Sequence, residues 1–130
     1  MNRQPLLDVE LIRYVQHHFP QWTVQLAPDI VASGSRRLIC IHATHKPLHG
    51  LLGRMSIVDV ELYDPDRTLI MTTASDLIDV IDIGFTSGEL PGVSSVKWVT
   101  LPTVVNNPSA AKSSAVCAFA FTCYSHYRID

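Results

Sequence analysis

The stretch "SIVDVELYDPDRTLIMTTASDLIDVI", residues 56–81, changes its apolar period in mid-course. From Ser56 to Tyr63, Val58, Val60 and Leu62 fall on one side and Ile57, Asp59, Glu61 and Tyr63 on the other. That is the two-residue period of a β-strand. After Asp64-Pro65-Asp66 the period lengthens, and Ile70, Ala74, Leu77, Ile78 and Ile81 form one stripe of a helix. Asp64 reads as the N-cap, Pro65 as the first helical residue, and Asp66 as an anion at the positive end of the dipole. Gly84 reads as the C-terminal stop. A half-polar strand running straight into a one-striped helix points to a sheet with a helix laid on it.

Upstream, Leu11, Ile12, Val15 and Phe19 repeat at three and four and predict a first helix that Pro20 ends. Asp8 reads as its N-cap, with Leu7 and Ile12 placed for a hydrophobic staple. Strands are predicted at Trp22–Leu26 and at Arg37–Thr44, the second apolar on both faces and so central. The segment "HKPLHGLLG", His45–Gly53, reads as a connecting loop, as does "GFTSGELPG", Gly84–Gly92. A short strand follows at Val96–Leu101, then a second long loop, "PTVVNNPSAAKS".

Downstream, "SSAVCAFAFTCYSHYRID", Ser113–Asp130, is one long extended run. Val116, Ala118, Ala120, Thr122, Tyr124 and His126 line one face; Cys117, Phe119, Phe121, Cys123, Ser125 and Tyr127 line the other. Both faces are largely apolar as far as Phe121, the pattern of a strand covered on both sides. From Ser114 to Arg128 it would reach about 45 Å at about 3.3 Å per residue. A domain of this size is about 36 Å across, so a second molecule is expected to cover part of it. The order is α-β-β-β-α-β-β over one domain, residues 1–130. The expected class is α+β: a mainly antiparallel sheet with both helices on one face, where a crossover through the second helix would also allow one parallel pair.

Composition narrows the function. The chain of 130 residues is 47% apolar and only 17% charged, below the usual ~25% of soluble domains. A surface so poor in charge favours partners that cover it. The formal charge of −2 argues against a nucleic-acid binder that works by a positive field. The apolar runs are too short for a membrane span, and the opening "MNRQPLLDVE" lacks a signal peptide's apolar core. The three cysteines, Cys40, Cys117 and Cys123, have no close pair in sequence and read as buried free thiols of a reducing compartment.

Chemistry is sparse. His42, His45 and His49 fall within eight residues, with His17, His18 and His126 elsewhere. Metal binding wants such groups converging at about 2 Å from one ion. His42 and His45 fall on opposite faces if their strand continues, and neither an HExxH nor a CxxC accompanies them. Asp59 and Glu61 share a strand face about 7 Å apart, a spacing open to acid/base work but more often the polar face of a strand. No GxSxG elbow and no phosphate-binding glycine loop is present. Asp76, Asp79 and Asp82 recur every third residue on the second helix, opposite its apolar stripe. Asp79 and Asp82 lie toward the C-terminal end, where negative charge opposes the dipole by about 0.3–1 kcal/mol each.

The layout, with "LLDVELIRYVQ", "MSIVDVELYDPDRTLIMTTASDLIDVI" and "LPTVVNNPSAAKSSAVCAFAFTCYSHYR", resembles the tail terminator proteins of the neck region of long-tailed phages. The resemblance covers most of the chain and rests on element order and length; "HATHKPLHG" has no counterpart in it. It implies a non-enzymatic virion protein without catalytic residues, cofactor or metal. Such a protein forms a ring, usually a hexamer, that caps the major tail tube protein and meets the head-connector protein. Genome DNA passes through the ring without specific binding. The place implied is the tail–head interface of the virion, reached from the host cytoplasm during assembly. On this footing Asp76, Asp79 and Asp82 are lumen candidates, since like charge repels phosphates. Phe119, Phe121, Tyr124 and Tyr127 are subunit-interface candidates; His45, Lys46, His49, Asn106, Asn107 and Lys112 are docking-loop candidates. Tail-completion and head-closure proteins of the same neck are the near alternatives. A small metal-dependent or acid/base enzyme, using His42, His45 and His49 or Asp59 and Glu61, is the alternative of another class.

Overall fold

A computed structural model describes residues 7–26, 37–47, 53–90, 93–106 and 115–126. In chain order the elements are α1 (Leu7–His18), β1 (Thr23–Leu26), β2 (Leu38–Pro47), β3 (Gly53–Asp64), α2 (Arg67–Thr86), β4 (Val93–Asn106) and β5 (Ala115–His126). The five strands form one sheet in the order β1-β2-β3-β5-β4. β1 runs parallel to β2; every other pair is antiparallel. The fold is α+β, as the change of period predicts. The parallel pair precedes β3 instead of crossing over α2, because β5 inserts between β3 and β4.

Register aligns the apolar positions of successive strands. Ile39, Leu62 and Cys117 share one row, Ile41, Val60 and Phe119 the next, then Ala43, Val58 and Phe121. These side chains form one core with Leu11 and Val15 of α1 and Ile70, Ala74, Leu77 and Ile81 of α2. Both helices therefore lie on the same face of the sheet. Full burial of each Leu, Ile, Val or Phe contributes about 1.5–3 kcal/mol.

Several boundaries differ from the sequence reading. Asp8 lies inside α1, which the structure describes from Leu7, so Asp8 is not its N-cap; Leu7 and Ile12 both pack against the core. The N-cap of α2 is Asp66, not Asp64: its carboxylate accepts from the Leu69 N–H at 3.0 Å. Asp64 ends β3 and is buried, accepting from the N–H groups of Asp66 (2.7 Å) and Arg37 (3.0 Å). Arg37 carries a left-handed φ of 49°, and the Asp64 carboxylate holds it there at the start of β2. Gly84 does not stop α2, which continues to Thr86; the positive φ, 82°, belongs to Gly88. Gly84 is buried instead against Tyr14, where an added Cβ would lie 2.7 Å from the ring. The helices thus approach closely, and the Tyr14 hydroxyl donates to the Val80 carbonyl at 3.3 Å.

The strands are longer than their periodicity signals. β2 continues through Pro47, so His45 and Lys46 belong to a strand and not to the predicted loop. β4 runs from Val93 to Asn106, absorbing Thr103–Asn106 of the second predicted loop. Pro102 lies inside it, within a register break between Thr100 and Thr103, and β4 is an edge strand. A proline that cannot donate to the ladder is tolerated there.

β5 is an interior strand. It pairs with β3 over its whole length and with β4 on its other edge. Its 12 residues are matched by the 12 of β3 and the 14 of β4. Its length therefore gives no overhang, and no second molecule is required along its edges. Nor are both its faces covered within the chain: Cys117, Phe119, Phe121 and Cys123 are buried under the helices, whereas Ala118 on the other face is exposed and Ala120, Thr122 and Tyr124 are half-buried.

Candidate assembly surface

The helix-free face of the sheet is built by strand alternation. β3 contributes Met55, Ile57, Asp59, Glu61 and Tyr63 to it; β2 contributes Cys40, His42 and Thr44; β5 contributes Ala118, Ala120, Thr122 and Tyr124. β4 adds the exposed Lys97, in the row of Thr44, Ile57 and Thr122.

One end of this face is closed by a polar cluster. Cys40 is 1% exposed and Tyr63 6%. The Tyr63 hydroxyl donates to the Glu61 carboxylate. Burial, then the hydrogen bond to Glu61, raises the Tyr63 pKa above the usual phenol range. Burial also pushes the Cys40 thiol up to about 11, with the Glu61 charge adding to it and a hydrogen bond with Gln25 opposing it. Cys123 is likewise pushed up to about 11, by burial alone. All three cysteines are buried and none forms a disulfide.

Among the described residues the histidines do not come together. His42 is exposed on the open face, opposite Asp59 in register. His45 occupies a β2 position of the other parity, because the strand continues past it. His17 and His18 lie exposed on α1, their rings 5.3 Å apart, with His18 also against Tyr14. His126 is the last residue of β5, and His49 lies outside the described residues. Among the described residues no group of three or more His, Cys, Asp or Glu could hold a metal, and no helix is long and apolar enough to cross a membrane.

Asp76, Asp79 and Asp82 are exposed along α2, on the layer opposite the open sheet face. Two interface candidates change standing. Phe119 is 2% exposed and Phe121 fully buried, both packed on Trp98 at 6.1 and 5.0 Å. A neighbouring subunit could reach them only by opening the core. Tyr124 is half-buried on the open face, while Tyr127 lies outside the described residues. Of the docking-loop candidates, Asn106 ends β4, and Asn107 and Lys112 lie outside the described residues.

Two connecting groups escaped sequence reading. Gln16 donates to the Phe19 and Trp22 carbonyls (3.2 and 2.7 Å) and accepts from the Val24 N–H at 3.1 Å, tying α1 to β1. A polar residue among apolar ones at helical spacing offers no signal for that role. Asp64 looked like a cap, and only the return of Arg37 beside it reveals the clamp. The chain matches no family model and no curated protein.

Proposed function

We propose that the protein is a non-enzymatic assembly component, and specifically a ring-forming tail terminator of a long-tailed phage, seated between the tail tube and the head connector. The observation that carries this reading is the open part of the sheet: among the described residues both helices pack on one face, and the outer strands β1 and β4 have no further partner strand. A chain with 17% charged residues whose sheet face is in part exposed among the described residues gains from burying it against copies of itself. Heterologous contacts that close give a cyclic ring. The exposed row Asp76, Asp79 and Asp82 suits a wall past which DNA must slide. Size-exclusion chromatography with light scattering, followed by negative-stain imaging, tests the reading. Rings with a central hole are expected; a monomer at every concentration would refute it.

A further inference from the structure

The two edges of the sheet match each other row by row. On one side, β1 pairs with β2 only from Leu38 to Ile41. Among the described residues nothing pairs with the outer edge of β2 from His42 to Pro47. On the other side, β4 pairs regularly with β5 from Ser95 to Trp98, then breaks register between Trp98 and Thr100 and again between Thr100 and Thr103, where Pro102 stands. Following the pairings across the sheet, Trp98 shares a row with Phe121, Val58 and Ala43, and Thr103 shares one with Ala118, Glu61 and Cys40. The break in β4 therefore falls at the rows where β1 ends on the opposite edge. Above those rows, among the described residues, neither edge has a partner strand and β4 is regular from Ser95 to Trp98; below them one edge is covered by β1 and the other carries a proline.

We propose that these two half-edges are the halves of one heterologous contact: Ser95–Trp98 of one copy adds as a strand to His42–Lys46 of the next. The proposal rests on the ring reading above and says how its subunits join. Directions agree, since β2 and β5 run one way and β3 and β4 the other. Rotation about an axis along the strands sets β4 beside β2 antiparallel, the pairing with the better hydrogen bonds. The register breaks interrupt β4 at the rows where the neighbour's β2 already carries β1, so the regular segment ends where the open edge of β2 ends. Each copy offers one half-edge of each kind, so the contact repeats from copy to copy and closes into a ring.

Cysteine pairs in the full chain test the contact. Lys97 is exposed in the row of Thr44, and His42 is exposed two positions along β2, so Lys97→Cys is combined with Thr44→Cys or with His42→Cys to allow for stagger. The native thiols are buried and stay out of the reaction. Mild oxidation of a double variant is expected to give a ladder of disulfide-linked oligomers, and mixing two single variants a linked dimer. Cross-linking of each single variant to itself, or none in a protein that light scattering shows assembled, overturns the edge contact and leaves the ring reading standing. A monomeric wild type removes both. Hydrogen exchange on the unmodified chain gives a second readout: edge amides among His42–Lys46 should slow by about tenfold or more as concentration brings on assembly. Protection independent of concentration would mean that the chain covers this edge itself, and would overturn the proposal.

Discussion

Replacing Gly84 by alanine sets two effects of similar size against each other. Glycine inside a helix costs about 1 kcal/mol relative to alanine, so propensity alone makes Gly84→Ala stabilising. The new Cβ, however, would stand 2.7 and 2.8 Å from the Tyr14 ring and 2.9 Å from Leu90 Cδ1. Leu90 is buried and Tyr14 is bonded to the Val80 carbonyl, so relief requires the Tyr14 ring to swing off that bond or α1 and α2 to separate. Overpacking of this kind costs about 1–3 kcal/mol. The expected net is a loss of up to about 2 kcal/mol, read as a lower urea midpoint with unchanged slope. A double-mutant cycle isolates the cause: in a Tyr14→Ala background Gly84→Ala should lose most of its penalty, with a coupling of about 1 kcal/mol or more. Equal effects in the two backgrounds, or a stabilised single variant, would refute the close approach of the helices.

Alkaline unfolding should be steep. Cys40 and Cys123 have folded pKa values of about 11 against 9.0 for a free thiol, and Tyr63 is raised too. Groups raised on folding hold their protons tighter in the native state, so the thiols' stabilisation is complete below about pH 9 and is lost as pH climbs toward 11, with that of Tyr63 lost at higher pH. Urea midpoints measured across that window should fall, and fall less in Cys40→Ala. Asp66→Ala removes the α2 cap and should cost about 1 kcal/mol by chemical denaturation. Phe121→Ala should cost about 3–5 kcal/mol, since the ring is fully buried against Phe85 and Trp98; a near-neutral result would put Phe121 back at an interface. None of the three thiols should react with a thiol reagent until the chain unfolds, a point that labelling with and without urea settles.

Periodicity carried much of the architecture. The switch at Asp64-Pro65-Asp66, the stripe through Ile70 and Ile81, and the alternation in β3 and β5 are local, and each follows from the repeat of a helix or strand. They were enough for seven elements in the right order, with both helices on one face. Strand ends were not legible in the same way. His45–Pro47 and Thr103–Asn106 look like loop, yet they lie in strands because β3 and β5 hold them in the ladder.

What the sequence determined by itself is which side chains seek the core, since hydrophobic spacing is written residue by residue. What only the tertiary structure decided is which strand lies beside which. Pairing joins residues far apart in the chain, as when β5 enters between β3 and β4 and becomes an interior strand, or β1 stops at Ile41 and leaves the rest of β2 with a bare edge. The same holds for Gly84, whose small size answers to a tyrosine on another helix and not to any local turn.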